Sequence, residues 1–228
     1  MAAGVRLGVD IGGTFTDIVL TRPDGTVRVS KVSSTPDDPG RAVVTGVDAL
    51  LGAASVAPAD VVEVVHGTTV ASNTILQKKG ARTGLLTTRG FRDVLEIGRI
   101  RTPDLFDLTW EKPVPLVERR WRMEVDERMG ADGRVVRPLD AASVHVAMER
   151  LVAEGVTSVA VCLVNSYVNP AHEAAVERLL RDRYPALDVT ASYRVLPEIK
   201  EYERTSTTVV NAYLLPVMRC RPSARLAR

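Results

Sequence analysis

A short run of glycine, acidic and hydroxyl residues near the start of the chain is the segment best suited to chemistry. It contains Asp10, Gly12, Gly13, Thr14, Thr16 and Asp17. Glycines let backbone N–H groups approach anionic oxygens because no Cβ intervenes, and threonine hydroxyls add further donors. The aspartate at position 10 can hold Mg²⁺, usually through water, because this cation keeps much of its hydration shell. The run therefore predicts a phosphate-binding hairpin, with a plain tight turn as the alternative.

A second polar group lies between an apolar stretch, 61–65, and a helical pattern that begins at Val70. It consists of His66, Thr68, Thr69 and Asn73. Backbone N–H groups at a helix start, together with threonine hydroxyls, suit an anion, and a histidine can transfer a proton or orient a substrate. The alternative is a helix cap made by one of the threonines, with the histidine merely packed.

Two further charged groups have simpler interpretations. The residues are Arg92, Asp93 and Arg99 in one group, and Glu201, Glu203 and Arg204 in the other. The first group is most simply a set of surface charges, and the second most simply forms ion pairs on a helix surface. A role facing substrate or ATP is the open alternative for the first group.

The elements that must position the first two groups follow from turn signals and hydrophobic periodicity. Strands are expected at 5–10, 14–21 and 27–32, most simply antiparallel, because glycine-rich turns separate them. A helix capped by Asp38 and ended by Gly52 comes next. The apolar run 61–65, a helix over 70–79 and a strand over 83–88 then follow. This succession of strands and helices predicts the α/β class.

The second half of the chain repeats such alternation after an irregular, proline-containing stretch, 98–118. We expect a hairpin at 124–136, helices at 140–154 and 169–184, strands at 158–165 and 187–191, and a helix at 199–215 closed by Pro216. The predicted organisation is a phosphate-motif unit at 1–110, a connecting hairpin at 111–137, a second, smaller α/β unit at 138–198, and a helix at 199–218 that packs back on the first unit. The basic tail, 219–228, is predicted to be disordered.

Composition narrows the function classes. Four of the 30 basic residues lie in the tail, which has no acid, so residues 1–218 carry a net charge of −2. Nucleic acid is therefore not an expected partner, since binding it needs a basic face on the folded part. No apolar run approaches the ~18 residues that span a bilayer, and the strand-like start leaves no room for a secretory signal, so a cytoplasmic protein is expected. The two cysteines, Cys162 and Cys220, have neither metal-ligand spacing nor a disulfide framework.

Five separated stretches, in order, resemble the N-terminal region of the hydantoinase A/oxoprolinase family. They are Val9–Asp17, His66–Thr74, Lys79–Thr83, Thr88–Arg99 and Glu201–Tyr213. The first also resembles the first phosphate motif of the ATPase superfamily that includes actin, hexokinase and the heat-shock chaperones. The resemblance implies a ribonuclease H-like or actin-like ATPase half with a mixed sheet.

What the resemblance implies for function is an ATP-dependent hydrolase of hydantoin or 5-oxoproline rings, in which ATP phosphorylates a substrate oxygen. ATP and Mg²⁺ are the implied cofactors. Asp10, His66 and Thr69 would be catalytic, and the phosphates would contact the other residues of the two polar groups. The implied partners are a small cyclic amide and either a hydantoinase B-type subunit or a missing C-terminal part.

Other functions stay open at this point. A ketone carboxylase subunit of the same family and a non-catalytic phosphate- or nucleotide-binding module are both compatible with the motifs. A sugar kinase is a weaker interpretation, because such kinases share only the first motif. No second Asp-x-Gly-Gly-Thr follows Asp10, and the superfamily's ATPases use two such hairpins. We therefore expect a chain that is incomplete as a stand-alone catalyst.

Overall fold

A computed structural model of the chain describes residues 4–35, 38–99, 106–107 and 109–219. The chain divides into two units by the contacts within each. The first comprises Met1–Lys79 and Met218–Arg228, and the second comprises Gly80–Val217. The expected disorder of the tail concerns residues that lie, apart from Arg219, outside the described part of the chain. Among the described residues, no helix is both long and apolar enough to cross a membrane.

The first unit contains a four-stranded mixed sheet. Its strands are β1 (Val5–Ile11), β2 (Phe15–Thr21), β3 (Val27–Ser33) and β4 (Val61–Thr68), in the order β3-β2-β1-β4. The first three are antiparallel, as predicted, and β4 runs parallel to β1. Alternate residues of β1 and β2 are buried on one face, so the opposite face is left for polar side chains.

One long helix covers the apolar face of this sheet. It is α1 (Pro39–Ala54), and the Asp38 carboxylate accepts a hydrogen bond from the Gly40 N–H at 3.1 Å, which confirms the predicted cap. The helix runs two residues beyond Gly52, because Ser55 adopts the left-handed conformation that ends it. Gly46 allows close packing, since a Cβ there would lie 2.3 Å from Ile18 Cδ1. The next helix, α2 (Val70–Leu76), ends three residues earlier than predicted.

The second unit is built on a parallel sheet. Its strands are β5 (Thr83–Thr88), β6 (Arg122–Val125), β7 (Arg128–Met129), β8 (Val135–Arg137), β9 (Ser158–Cys162) and β10 (Asp188–Ala191). Its helices are α3 (Val94–Ile97), α4 (Ala141–Ala153), α5 (Ala171–Arg183), α6 (Ser192–Val195) and α7 (Glu201–Met218). Four strands pair in the order β10-β9-β5-β6, all parallel, while β7 and β8 form a separate antiparallel hairpin. The predicted α/β class, with a mixed sheet and a second α/β unit, is confirmed.

The division between the units differs from the expected boundary near residue 110. Strand β5 pairs with β6 and β9, so the chain divides between Lys79 and Gly80 and the second unit is the larger one. The predicted hairpin at 124–136 is shorter, because Glu124 belongs to β6 and only β7 and β8 pair across the turn. These differences arise because a strand's partners depend on long-range pairing rather than on its own residues.

The last helix differs from its prediction in two ways. Its buried Val209 and Ala212 belong to the core of the second unit, whereas we expected the helix to pack on the first unit. It also continues through Pro216. A proline lacks the N–H that would bond to the carbonyl four residues earlier, here Ala212. That carbonyl instead accepts a hydrogen bond from Ser158 Oγ at 2.7 Å, so the proline is tolerated inside the last turn.

Charged and hydroxyl side chains are buried together in the second unit, where α5 and α7 contact the residues that follow β9 and β10. Glu173 of α5 and Arg204 of α7 are 0% and 1% exposed. The Glu173 carboxylate accepts hydrogen bonds from the Leu163 N–H at 2.7 Å, Ser192 Oγ at 2.7 Å and the Tyr193 N–H at 2.9 Å. Arg204 Nη1 donates to the Leu163 carbonyl at 2.8 Å and also to Ser166 Oγ. We call this set the Glu173–Arg204 network.

The buried thiol of Cys162 yields a first prediction. Burial raises the pKa of Cys162 to about 11, and its Sγ lies 3.1 Å from Thr205 Oγ1. Because the thiolate is the reactive form, the thiol should be inert in the folded protein. In a Cys220→Ser variant at pH 8, we expect no reaction with Ellman's reagent until urea unfolds the chain. Stoichiometric labelling within minutes under native conditions would contradict this burial.

Candidate phosphate-binding site

The tip of the β1–β2 hairpin presents backbone donors that nothing in the described chain uses. The Gly12 N–H donates to the Phe15 carbonyl at 2.9 Å and closes the turn. Within the described residues, the N–H groups of Gly13 and Thr14 donate to no acceptor, and both residues are exposed. Adjacent backbone N–H groups that point away from the sheet form a concavity that attracts anionic oxygens. The tip can therefore bind a phosphate.

Space, rather than unusual backbone torsion, explains the two glycines at this tip. Neither has a positive φ. A Cβ on Gly12 would lie 2.9 Å from the Phe15 carbonyl oxygen, a backbone atom that cannot move without opening the turn. A Cβ on Gly13 would lie 3.1 Å from Asn73 Nδ2, a side-chain atom that can move. Gly12 is thus the stricter requirement of the two.

Ser34, which no sequence motif marked as part of the site, stabilises the turn. Ser34, just after β3, donates from its Oγ to the Gly12 carbonyl at 2.8 Å, and its N–H donates to the Thr14 carbonyl at 2.9 Å. Thr16 Oγ1 lies 3.0 Å from Ser34 Oγ and is fully buried. Since the Ser34 hydroxyl proton is used on Gly12, Thr16 is the donor of this pair. Thr16 therefore supports the turn and does not face a phosphate.

Two carboxylates lie side by side on the open face of the sheet, next to the tip. Asp10 and Asp17 are directly opposite each other in the β1–β2 register, an arrangement in which like charges repel. Asp17 is paired with Lys31 of β3, whose Nζ lies 3.2 Å from Asp17 Oδ1. Asp10 is exposed and has no hydrogen bond or ion pair to any described residue. A cation near Asp10 would relieve the repulsion that Lys31 compensates only for Asp17.

Strand β4 leaves room beside this carboxylate. Gly67 is the register partner of Asp10 in the β1–β4 pair, and a Cβ at Gly67 would lie 3.6 Å from Asp10 Oδ1. Among the described residues, no group of three or more histidine, cysteine or acidic side chains could hold a metal ion. A Mg²⁺ ion fits such a place better than Zn²⁺, because it is commonly held by one or two carboxylates, with waters and phosphate oxygens as its other ligands.

The threonines at the end of β4 contact the local backbone. Thr69 donates from its N–H at 3.1 Å and from Oγ1 at 3.4 Å to the Ile11 carbonyl. Thr68 Oγ1 accepts from the Val70 N–H at 3.1 Å, and Asn73 Nδ2 donates to Thr69 Oγ1 at 3.2 Å. The Thr68 contact fits the alternative of a local cap, whereas Thr69, the N-cap residue of α2, makes no side-chain cap. Helix α2 has only seven residues, so its start is not an independent anion site.

His66 is not brought to the face that carries Asp10. The register pairs His66 with Val9, and Val9 is buried on the face covered by α1. Successive residues of a strand point to opposite faces, so the His66 ring and the Asp10 carboxylate lie on opposite sides of the sheet. The register therefore separates His66, which is exposed, from the sheet face that carries Asp10, and its catalytic role stays a prediction.

The steric requirement at Gly12 yields a second prediction. We expect Gly12→Ala to lower the free energy of unfolding by about 1–3 kcal/mol, because the new methyl group overlaps a fixed carbonyl. The matched control is Gly52→Ala in α1, where a Cβ meets nothing within 4 Å. An alanine there should stabilise the helix by about 0.5–1 kcal/mol. Urea unfolding of the three proteins tests the pair, and a Gly12→Ala protein as stable as the parent would contradict the assigned geometry.

Relatives and a family model match most of the chain. A family model described as the hydantoinase/oxoprolinase N-terminal region matches residues 6–184. Caprolactamase subunit alpha of Pseudomonas jessenii is 40% identical over 219 residues, which cover 93% of this chain and 32% of that protein. The 5-oxoprolinase 1 of Arabidopsis thaliana is 35% identical over 246 residues, which cover 94% of this chain and 19% of that protein.

Two solved structures share the fold, at 40% and 28% sequence identity. The crystal structure of the ATP-dependent caprolactamase from Pseudomonas jessenii matches with a TM-score of 0.82 over 93% of this chain and 32% of its own. Nucleotide-free acetone carboxylase matches with a TM-score of 0.83 at 28% identity, with the same shares covered. The chain thus spans a third or less of the length of these relatives. With the family model matching most of its residues, the chain belongs to the hydantoinase/oxoprolinase family and corresponds to that family's N-terminal region.

Proposed function

We propose that this chain is the N-terminal, phosphate-binding part of an ATP-dependent enzyme that hydrolyses cyclic amides. The observation that carries the proposal is the β1–β2 hairpin, which carries the Gly13 and Thr14 N–H groups and the Asp10 carboxylate, none of them bonded to another described residue. Donors for phosphate oxygens and a ligand for Mg²⁺ are thereby supplied by one turn.

Each residue has a definite task in this proposal. The Gly13 and Thr14 N–H groups hold phosphate oxygens, Asp10 would hold a hydrated Mg²⁺ ion, and Lys31 pairs with the neighbouring Asp17. Mg·ATP, when bound, supplies a phosphoryl group that turns an unreactive amide oxygen into a leaving group. Phosphoryl transfer depends mainly on positioning and on neutralising charge, and both tasks suit a turn held rigid by Ser34.

The relatives' names support the substrate class. Caprolactamase and 5-oxoprolinase act on cyclic amides by name, and the caprolactamase is described as ATP-dependent. An ATP-dependent ketone carboxylase subunit is the second candidate, favoured by the structural match to acetone carboxylase. Subunit names such as caprolactamase alpha point to a further polypeptide as partner, either a B-type subunit or the remaining part of the family's chain. A cytoplasmic location belongs to the same proposal.

The proposal is tested first on the chain alone. One hairpin places donors on one side of a phosphate, so we expect steady-state ATP hydrolysis far below the ordinary enzyme range of about one per second or more. Neither caprolactam, 5-oxoproline nor hydantoin should raise it to that range. Turnover of roughly one per second with any of them would show that this part acts without the rest of the family's polypeptide.

The second test supplies the rest of a relative's polypeptide. In a hybrid protein, residues 4–218 replace the corresponding third of caprolactamase subunit alpha. This chain is 40% identical to that subunit over 219 residues. The hybrid, assembled with the caprolactamase's own partner, should hydrolyse ATP in response to caprolactam. Asp10→Asn in the hybrid should abolish that response, while Asp48→Asn, an exposed change in α1, should preserve it. If Asp10→Asn left the ATP hydrolysis of the hybrid as responsive to caprolactam as before, the proposed role of Asp10 would be contradicted.

A further inference from the structure

A cleft of about 560 Å³ opens in the second unit, apart from the residues of the phosphate site. Its walls are mostly apolar and include Leu95, Trp110, Pro113, Tyr202 and Val210. A cleft of this volume lies within the range of small-molecule sites, which typically combine apolar and aromatic walls with a few polar groups. Two aromatic side chains can accept a flat ring or a short hydrocarbon body.

Two charged groups noted in the sequence meet at this cleft. Arg99, from the stretch after β5, forms an ion pair with Glu203 of α7. Gly98 and Arg99 line the cleft from one side, and Tyr202 and Ser206 of α7 line it from the other. The pairing explains why both stretches carry charge at these positions, and it leaves the Arg99–Glu203 pair without net charge.

Lys112 is the remaining charged residue in the lining. Its Nζ donates to the Ile97 carbonyl at 3.0 Å, and within the described residues it has no ion pair. The nearby carboxylates are already engaged, Glu96 with Arg122 at 3.0 Å and Glu118 with Arg120 at 2.9 Å. An ammonium group has three donors, so two remain at Lys112. The cleft therefore combines apolar walls with one uncompensated positive charge.

We propose that this cleft binds a small carboxylate with an apolar body. The carboxylate accepts charge-assisted hydrogen bonds from Lys112, and Ser206 adds a hydroxyl. The apolar body packs between Trp110 and Tyr202. The site shares no residue with the proposed phosphate-binding turn, and its existence does not depend on the proposed function.

The test compares benzoate with benzamide, which share a shape and differ in charge. Saturation-transfer NMR titrations of the full chain should show benzoate binding at least fivefold more tightly than benzamide. Lys112→Met should bring the two affinities to within twofold, mainly by weakening benzoate, and Lys112→Arg should preserve the preference. Lys79→Met, an exposed lysine of the first unit, is the matched control and should change neither affinity.

A second variant places the ligand in the cleft. Val210→Trp should weaken both compounds together, because the larger side chain occupies the space that the ring needs. Circular dichroism of each variant, compared with the parent, confirms that it is folded. The proposal is overturned if the parent binds neither compound, if it binds both equally, if the benzoate preference survives Lys112→Met, or if folded Val210→Trp binds both as the parent does.

Discussion

Asp10→Asn is expected to weaken Mg²⁺-dependent ATP binding at least tenfold while leaving the fold as stable as the parent. The carboxylate is exposed and has no partner among the described residues, so its loss removes no internal contact. It also removes the repulsion with Asp17 across the β1–β2 pair, which should offset the change in packing. A tenfold loss corresponds to about 1.4 kcal/mol, an ordinary value for one ligand of a hydrated cation.

Isothermal titration calorimetry with ATP, in excess Mg²⁺ and again in EDTA, separates Mg²⁺-dependent from Mg²⁺-independent binding. The parent should bind ATP more tightly with Mg²⁺, whereas the variant should bind with similar affinity in both conditions, through the Gly13 and Thr14 N–H groups alone. Asp48→Asn, which removes an exposed carboxylate of the same unit, serves as the control. Equal Mg·ATP affinity in the parent and the Asp10→Asn protein would refute the assignment.

The turn between β1 and β2 could be predicted because its signals are local. An acid at the end of an apolar strand, two glycines and a following strand are adjacent in the sequence, and the structure places them in one hairpin. Ser34 could not be predicted in this way. It lies 22 residues after Gly12, and its role depends on β3 pairing with β2, which brings its hydroxyl to the Gly12 carbonyl.

The position of His66 shows a second limit of sequence reasoning. Its residue type and its place before two threonines suggested that it transfers a proton or orients a substrate. The face on which a strand residue lies, however, depends on register, and a shift of one residue reverses it. The pairing of Val9 with His66 and of Asp10 with Gly67 decides on which face the His66 ring lies. The residues around His66 do not predict that pairing.

The sheet membership of β5 depends on partners that are distant in the chain. Its six residues are all buried, which is typical of a strand covered on both faces in a parallel sheet. The sequence therefore predicted a strand over 83–88 correctly. Its neighbours β6 and β9 begin at Arg122 and Ser158, so the choice of sheet could not be made from local pattern.

Glu173→Ala is expected to be the most destabilising of the substitutions considered, with a loss of about 3–5 kcal/mol in the free energy of unfolding. The alanine would leave the Leu163 and Tyr193 N–H groups buried without an acceptor. It would also remove the buried carboxylate whose Oε1 lies 3.9 Å from Arg204 Nη1, and the buried guanidinium would keep only the partly exposed Glu201 carboxylate, 3.7 Å from its Nη2. Burial raises the pKa of Glu173, and the hydrogen bonds from Ser192, Leu163 and Tyr193 oppose that rise.

Urea unfolding of Glu173→Ala and of Glu149→Ala provides the measurement, because both are helical glutamates and only the first is buried. The control should change stability by less than about 0.5 kcal/mol, as surface substitutions usually do. A third protein, Glu173→Ala with Arg204→Met, also removes the buried positive charge and should recover part of the loss. If Glu173→Ala cost less than about 1 kcal/mol, its hydrogen bonds would be replaceable by water, and the Glu173–Arg204 network would not be what holds α5 and α7 to the second sheet.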